Sequence, residues 1–172
     1  MRSGATGDTL PDEMNVLWRA PIGGDVSSPV VAGGRLFVAS MDTHQVIALD
    51  AATGEPAWRF TTGGPIDTPP TIHAGLCLFG SRDGWVYCVD ASDGELVWRF
   101  RAAPFDRRIM VDGRLESAWP VFGAVLVQDD TVFFTAGRDA RLDGRITLYA
   151  LSPLTGRLRS QKPPEGDVVT DV

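Results

Sequence analysis

Three groups of side chains in this sequence are of types that do chemistry. The first is the run RAAPFDRRIMVDGRLESAWPV, residues 101–121, which gathers Arg101, Asp106, Arg107, Arg108, Asp112, Arg114, Glu116 and Trp119 in one stretch. Guanidinium forks pair with carboxylates and phosphates and stack on aromatic rings. Arg107, Arg108, Arg114, Glu116 and Trp119 therefore form a candidate ligand- or partner-binding loop. The alternative is a solvated loop whose charges pair among themselves. The second group is Asp25, Asp67 and Glu116, each shortly before a proline (Pro29, Pro69, Pro120). Hard oxygen ligands in an arc bind a divalent cation; Asp at turns and strand starts is the simpler use. The third group is Cys77 and Cys88. If residues 81–84 form a four-residue hairpin loop, the two thiols face each other; shifted by one, they point to opposite faces. Two small buried thiols and a cross-strand disulfide both stand open, and two cysteines are too few to close a metal site. His44 and His73 lie at or beside turns, with no partners at a metal or nucleophile spacing. No catalytic residue can be assigned.

Composition excludes several function classes. The 172 residues are 44% hydrophobic and 22% charged, with 19 Gly and 12 Pro. Such a chain is long enough for a real core and rich in turn formers, which favours many short strands. No run is long and apolar enough for a membrane span, and the first residues lack an apolar signal core. The formal net charge of −6 argues against a phosphate backbone as partner.

The elements that must position these groups come from a repeat. ALDAATGEPAW (48–58) returns as CVDASDGELVW (88–98) and, degraded, as ALSPLTGRLRS (150–160). Trp18, Trp58 and Trp98 stand at a constant spacing of 40 residues, each followed by Arg. A period near 40 in a β-rich chain reads as propeller blades. The apolar runs predict strands at 28–32, 35–40, 45–50 and 56–60, then at 68–72, 76–81, 85–90 and 96–100. In the third unit they fall at 118–122, 131–137 and 146–151, with a ragged outer segment near 157–160. Residues 15–20 read as an outer strand, 1–14 as an N-terminal tail and 161–172 as a polar C-terminal tail. The blades span 26–60, 66–100 and 117–160. The fold class is all-β, a partial propeller of about three four-stranded antiparallel blades, with no helix longer than a turn or two.

The repeated phrase has a physical logic. A small residue leaves room for an indole, Asp accepts bonds from turn amides, and Gly supplies positive φ. AxDxxTGxxxW resembles the tryptophan-docking motif of the quinoprotein-type propellers, the pyrroloquinoline quinone (PQQ)-like repeat family. Ala48, Asp50, Thr53, Gly54 and Trp58 match it fully. Asp90, Gly94 and Trp98 match with Cys88 for Ala, and the third copy keeps Ala150 and Gly156 but has Ser160 for Trp. LESAWPV is similar to a segment of large bacterial PQQ-like repeat proteins. The resemblance covers roughly residues 15–160 and implies docking residues that join blades.

It implies less about chemistry. The family includes PQQ-dependent alcohol dehydrogenases and outer-membrane assembly lipoproteins that bind no quinone. The dehydrogenases carry adjacent cysteines; Cys77 and Cys88 are not adjacent, and no calcium set or catalytic Asp is assignable by motif. The expectation is a non-catalytic binding or scaffolding segment of the bacterial cell envelope, with no cofactor. The alternatives are part of a PQQ- and calcium-dependent dehydrogenase, or an extracellular sensor domain. A propeller ring needs roughly four to eight blades, so the expected partners are remaining blades of a longer chain or other proteins.

Overall fold

The computed structural model describes residues 15–138 and 146–162. They form three four-stranded antiparallel sheets and one two-stranded hairpin, and no helix occurs among the described residues. Blade 1 holds β1 (Val30–Ala32), β2 (Arg35–Ser40), β3 (Gln45–Asp50) and β4 (Pro56–Thr61), in sequential order. Blade 2 holds β5 (Thr71–His73), β6 (Leu76–Gly80), β7 (Trp85–Asp90) and β8 (Leu96–Arg101). The hairpin follows, β9 (Arg108–Val111) with β10 (Arg114–Ser117). Blade 3 holds β11 (Val121–Gln128), β12 (Thr131–Ala136), β13 (Thr147–Leu151) and β14 (Leu158–Lys162). The expected tail 1–14 lies outside the described residues, as does 163–172 of the expected tail 161–172, whose first two residues, Gln161 and Lys162, belong to β14.

The burial pattern follows from stacking. The middle strands of blades 1 and 2 are buried on both faces, because each sheet sits between neighbours. The outer strands β4 and β8 bury one side chain fully, Trp58 and Trp98. The first seam packs Phe37, Val46, Ala48 and Trp58 against Cys77, Phe79, Tyr87 and Val89. The second packs Leu78, Val86, Cys88 and Trp98 against Val125, Val132, Phe134 and Leu151. The entry face of blade 1, Val38, Ile47 and Leu49, is covered by Trp18, Ala20 and Ile22.

Several expectations need correction. Residues 15–20 form no strand ladder among the described residues, because no strand lies beside them. The innermost strands begin later than their apolar runs, at Val30 and Thr71, since Pro29 and Pro70 have no N–H to give a ladder. In blade 3 the inner strand lies at Val121–Gln128 rather than 118–122, with a bulge between Phe122 and Leu126. The run 101–121 is no plain loop: it contains the β9–β10 hairpin. Leu78 pairs with Cys88 and Cys77 with Val89, so the two thiols point to opposite faces and into different seams. Both are free and buried.

Candidate functional site

In an antiparallel four-stranded blade, the β2–β3 type of loop and the connection to the next blade emerge at one end. The charged groups gather there. The Asp112–Gly113 pair turns the β9–β10 hairpin, with φ of 48° and 76°. Two successive positive φ values are what a type I′ turn demands, and Asp-Gly supplies them at low cost. The hairpin is thus a strap across the loop face. Strand alternation gives it two sides. Leu115 and Met110 are register partners and both point outward, Met110 68% exposed. Arg114 and Glu116 share the underside.

The underside holds the three blades together. Arg114 Nη2 stands 2.5 Å from Asp42 Oδ1. Glu116, its side chain fully buried, meets Arg82 Nη1 at 3.3 Å and Arg138 Nη2 at 2.5 Å. Asp42, Arg82 and Arg138 occupy the same place in successive blades, two residues past the ends of β2, β6 and β12. One strap therefore ties to the equivalent loop residue of each blade. Its main chain adds a bond from Ser117 N–H to the Arg82 carbonyl, 2.7 Å. Arg82 Nε also bonds Asp67 Oδ2 at 2.7 Å. Phe122, the second residue of β11, places its ring under both guanidiniums, at 5.1 Å for Arg82 and 5.5 Å for Arg138. Burial opposes the Arg82 charge, but Asp67 and Glu116 outweigh it and hold the guanidinium more firmly protonated than in water.

The residues singled out by sequence divide accordingly. Glu116 and Arg114 sit at the centre of the arrangement. Arg108 is exposed, its Nε 3.9 Å from Asp106, and the Arg107 carbonyl accepts a bond from Ala118 N–H. Trp119 meets Phe105 edge-on at 4.5 Å. The carboxylates do not form a cation arc. Asp67 and Glu116 are neutralised by arginines, and Asp25 is exposed, its N–H on Asp42 Oδ2. Among the described residues, no group of three or more His, Cys, Asp or Glu is placed to hold a metal. Sequence reasoning missed Asp42, Arg82, Arg138 and Phe122. The signal was present, since the first three share one repeat position.

The repeated phrase builds the seams. Trp18, Trp58 and Trp98 donate their indole N–H to the carbonyls of Ala51, Ala91 and Pro153, at 3.1, 3.1 and 2.7 Å. Each indole lies on the turn glycine of the following blade: Gly54, Gly94 and Gly156. A Cβ on Gly94 or Gly156 would stand 2.7 Å from the ring, and both glycines have positive φ. Within their own sheets Trp58 and Trp98 pair with the small residues Ala48 and Cys88. Ser160 pairs with Ala150 and brings no ring. Asp50 accepts bonds from Thr53 N–H and Ala52 N–H, and Asp90 from Ser92 through hydroxyl and N–H.

A family model described as outer membrane protein assembly factor BamB matches residues 11–171, and its repeats are of the PQQ-like type. The chain belongs to this family. No curated protein sequence matches it. Among solved structures, it is similar to the quinohemoprotein alcohol dehydrogenase ADHIIG from Pseudomonas putida HK5, with 21% identity and a TM-score of 0.66 over 81% of this chain and 22% of that one. It is similar to the quinohemoprotein alcohol dehydrogenase from Comamonas testosteroni, with 20% identity and a TM-score of 0.66 over 81% and 21%. It is also similar to the computationally designed Ika4 protein, with 14% identity and a TM-score of 0.60 over 92% and 82%. At these identities the likeness is one of fold. The chain spans about a fifth of the length of the two dehydrogenases. The family's PQQ-like repeats are the blades described above, a partial β-propeller. No helix among the described residues is long and apolar enough to cross a membrane.

Proposed function

We propose that this chain is a non-catalytic binding or scaffolding segment of a cell-envelope propeller, and that the strapped loop face is its working surface. The observation that carries this is the strap itself. Its underside is consumed in ties to three blades, while its outer side presents the exposed pair Met110 and Leu115. A rigid mount with an apolar outer pair suits protein recognition, where exposed apolar groups on a fixed element mark docking sites. Membership in a family described by an assembly factor supports a protein–protein role. Two of the three carboxylates that sequence offered for a cation, Asp67 and Glu116, are neutralised by arginine, which favours this reading over a calcium-dependent oxidoreductase. The test is titration of the purified chain with PQQ and calcium, followed by absorbance and calorimetry. The expected result is no stoichiometric binding and no alcohol oxidation with an artificial acceptor; stoichiometric quinone binding overturns the reading.

A further inference from the structure

Glu116 does not satisfy the arginines that hold it. The side-on edge of a guanidinium, Nε with Nη2, is a two-donor fork matched to the two oxygens of one carboxylate. Among the described residues, Arg138 uses only Nη2, on Glu116 Oε1, while its Nε is buried with no hydrogen-bond partner. Glu116 cannot close that fork, because its other oxygen is drawn to Arg82. Under both guanidiniums lies the Phe122 ring, a flat wall that fixes their planes. Glu116 also arrives on a hairpin, not on a blade. Two arginines from two blades thus surround a carboxylate carried on a separate element.

We propose that Arg82 and Arg138, seated over Phe122, form a carboxylate-binding fork that Glu116 occupies as a built-in ligand, and that an acidic side chain of a protein partner competes with Glu116 for it. The proposal rests on the binding role of this face and names the chemistry that the face recognises. A partner carboxylate that engages Nε and Nη2 of Arg138 together would make the bond that Glu116 leaves unmade. Displacing Glu116 removes the ionic ties of the strap to blades 2 and 3 and leaves it held by the Arg114–Asp42 pair and the bond from Ser117 N–H to the Arg82 carbonyl, so capture of the partner would be coupled to loosening of the strap that carries Met110 and Leu115.

Chemical rescue tests this. Glu116→Ala empties the fork, and Glu116→Gln refills it with a neutral group of the same size. Melting is followed in sodium formate and in sodium chloride at matched ionic strength. Formate is expected to raise the melting temperature of Glu116→Ala saturably, with no such rise in wild type, in Glu116→Gln or in the double variant Glu116→Ala/Arg138→Ala. Equal behaviour in formate and chloride overturns the fork, as does equal rescue of the double variant. If Glu116→Ala does not fold in chloride, recovery on refolding in formate supports the site, and recovery in neither salt overturns it. A second arm adds a tetraglutamate peptide. It should bind Glu116→Ala about ten-fold or more tightly than wild type, the scale of one charge-assisted bond; equal affinity removes the competition. Quinone binding would sink the non-catalytic role while leaving formate rescue intact, so the two failures are distinguishable.

Discussion

At the scale of the residue, one substitution type separates ring packing from surface chemistry. Trp58 and Trp98 are 8% and 9% exposed, each with a hydrogen bond across the seam. Truncation to Ala should cost about 3–5 kcal/mol at either, the range for a buried aromatic, measured by denaturant unfolding. Trp18→Ala should cost less, since that indole is only half-buried. The turn aspartates give a pH signature. Bonds from the Thr53 and Ala52 amides hold the Asp50 carboxyl below its usual range, and the Ser92 hydroxyl and amide do the same for Asp90. A depressed folded pKa contributes stability above the unfolded value near ~3.9, lost as pH falls through the lower folded value. Asp50→Asn and Asp90→Asn should therefore lower stability in the neutral region, leave it little changed at the acid end where the carboxyl is already protonated, and so flatten the acid limb of the stability curve; an unaltered acid limb assigns that slope to other groups. The thiols act in the opposite direction. Burial pushes Cys88 up to about 12, and Cys77 is raised by burial too. Neither should react with a thiol reagent at neutral pH until the chain unfolds, a result read directly by alkylation and mass spectrometry.

At the scale of the element, the strap depends on three ion pairs, two of them on the buried Glu116, and one main-chain bond to Arg82. Arg114→Ala removes the tie to Asp42, where both partners are partly exposed, so its stability cost should be small, about 0–1 kcal/mol. Glu116→Ala leaves two arginines without their buried partner and should cost about 3–5 kcal/mol. Hydrogen exchange should show faster β9–β10 amides in both variants, with β6 and β7 protected in Arg114→Ala; loss of protection across blade 2 there would mean that the strap is part of the core. The strap also marks the limit of what the sequence makes legible. The β2, β3 and β7 ranges follow from apolar runs bounded by Gly and Asp, because local pattern alone decides them. The strap hairpin was equally local: Asp112-Gly113 between two four-residue runs is a hairpin signal, obscured by the density of charge around it. The cluster was not local. Glu116 pairs with residues 34 and 22 positions away, Arg82 and Arg138, and nothing in a charge run says which guanidinium arrives from another blade. The bulge in β11 was hidden for a related reason: the apolar pattern places that strand at 118–122, and the break between Phe122 and Leu126 exists only in the register with β12.

At the scale of the whole molecule, the two ends of the stack are chemically unlike. The entry face of blade 1 is closed by Trp18, which occupies the same place over Gly54 that Trp58 takes over Gly94. The exit face of blade 3 carries Leu126, Phe133, Leu148 and Ala150 on one side of the sheet, with Leu126 and Leu148 exposed. The corresponding faces of blades 1 and 2 are buried in seams, each closed by an indole that Ser160 does not supply. An open apolar sheet face of this kind attracts a cover, since each Å² of apolar area removed from water contributes about 25 cal/mol. Among the described residues no strand ladder and no buried apolar cluster joins blade 3 to blade 1. The purified chain should therefore self-associate, with an average mass in sedimentation equilibrium that rises with concentration. Leu126→Ser with Leu148→Ser should reduce that association without loss of blades 1 and 2, because both side chains project from the exposed side and not into the seam with blade 2. Ser160→Trp should strengthen it, by restoring beside Ala150 the ring that the other outer strands present to a following turn. A concentration-independent monomer, unchanged by these substitutions, would mean that the exit face is stable in water as it stands and that the blades need nothing beyond it.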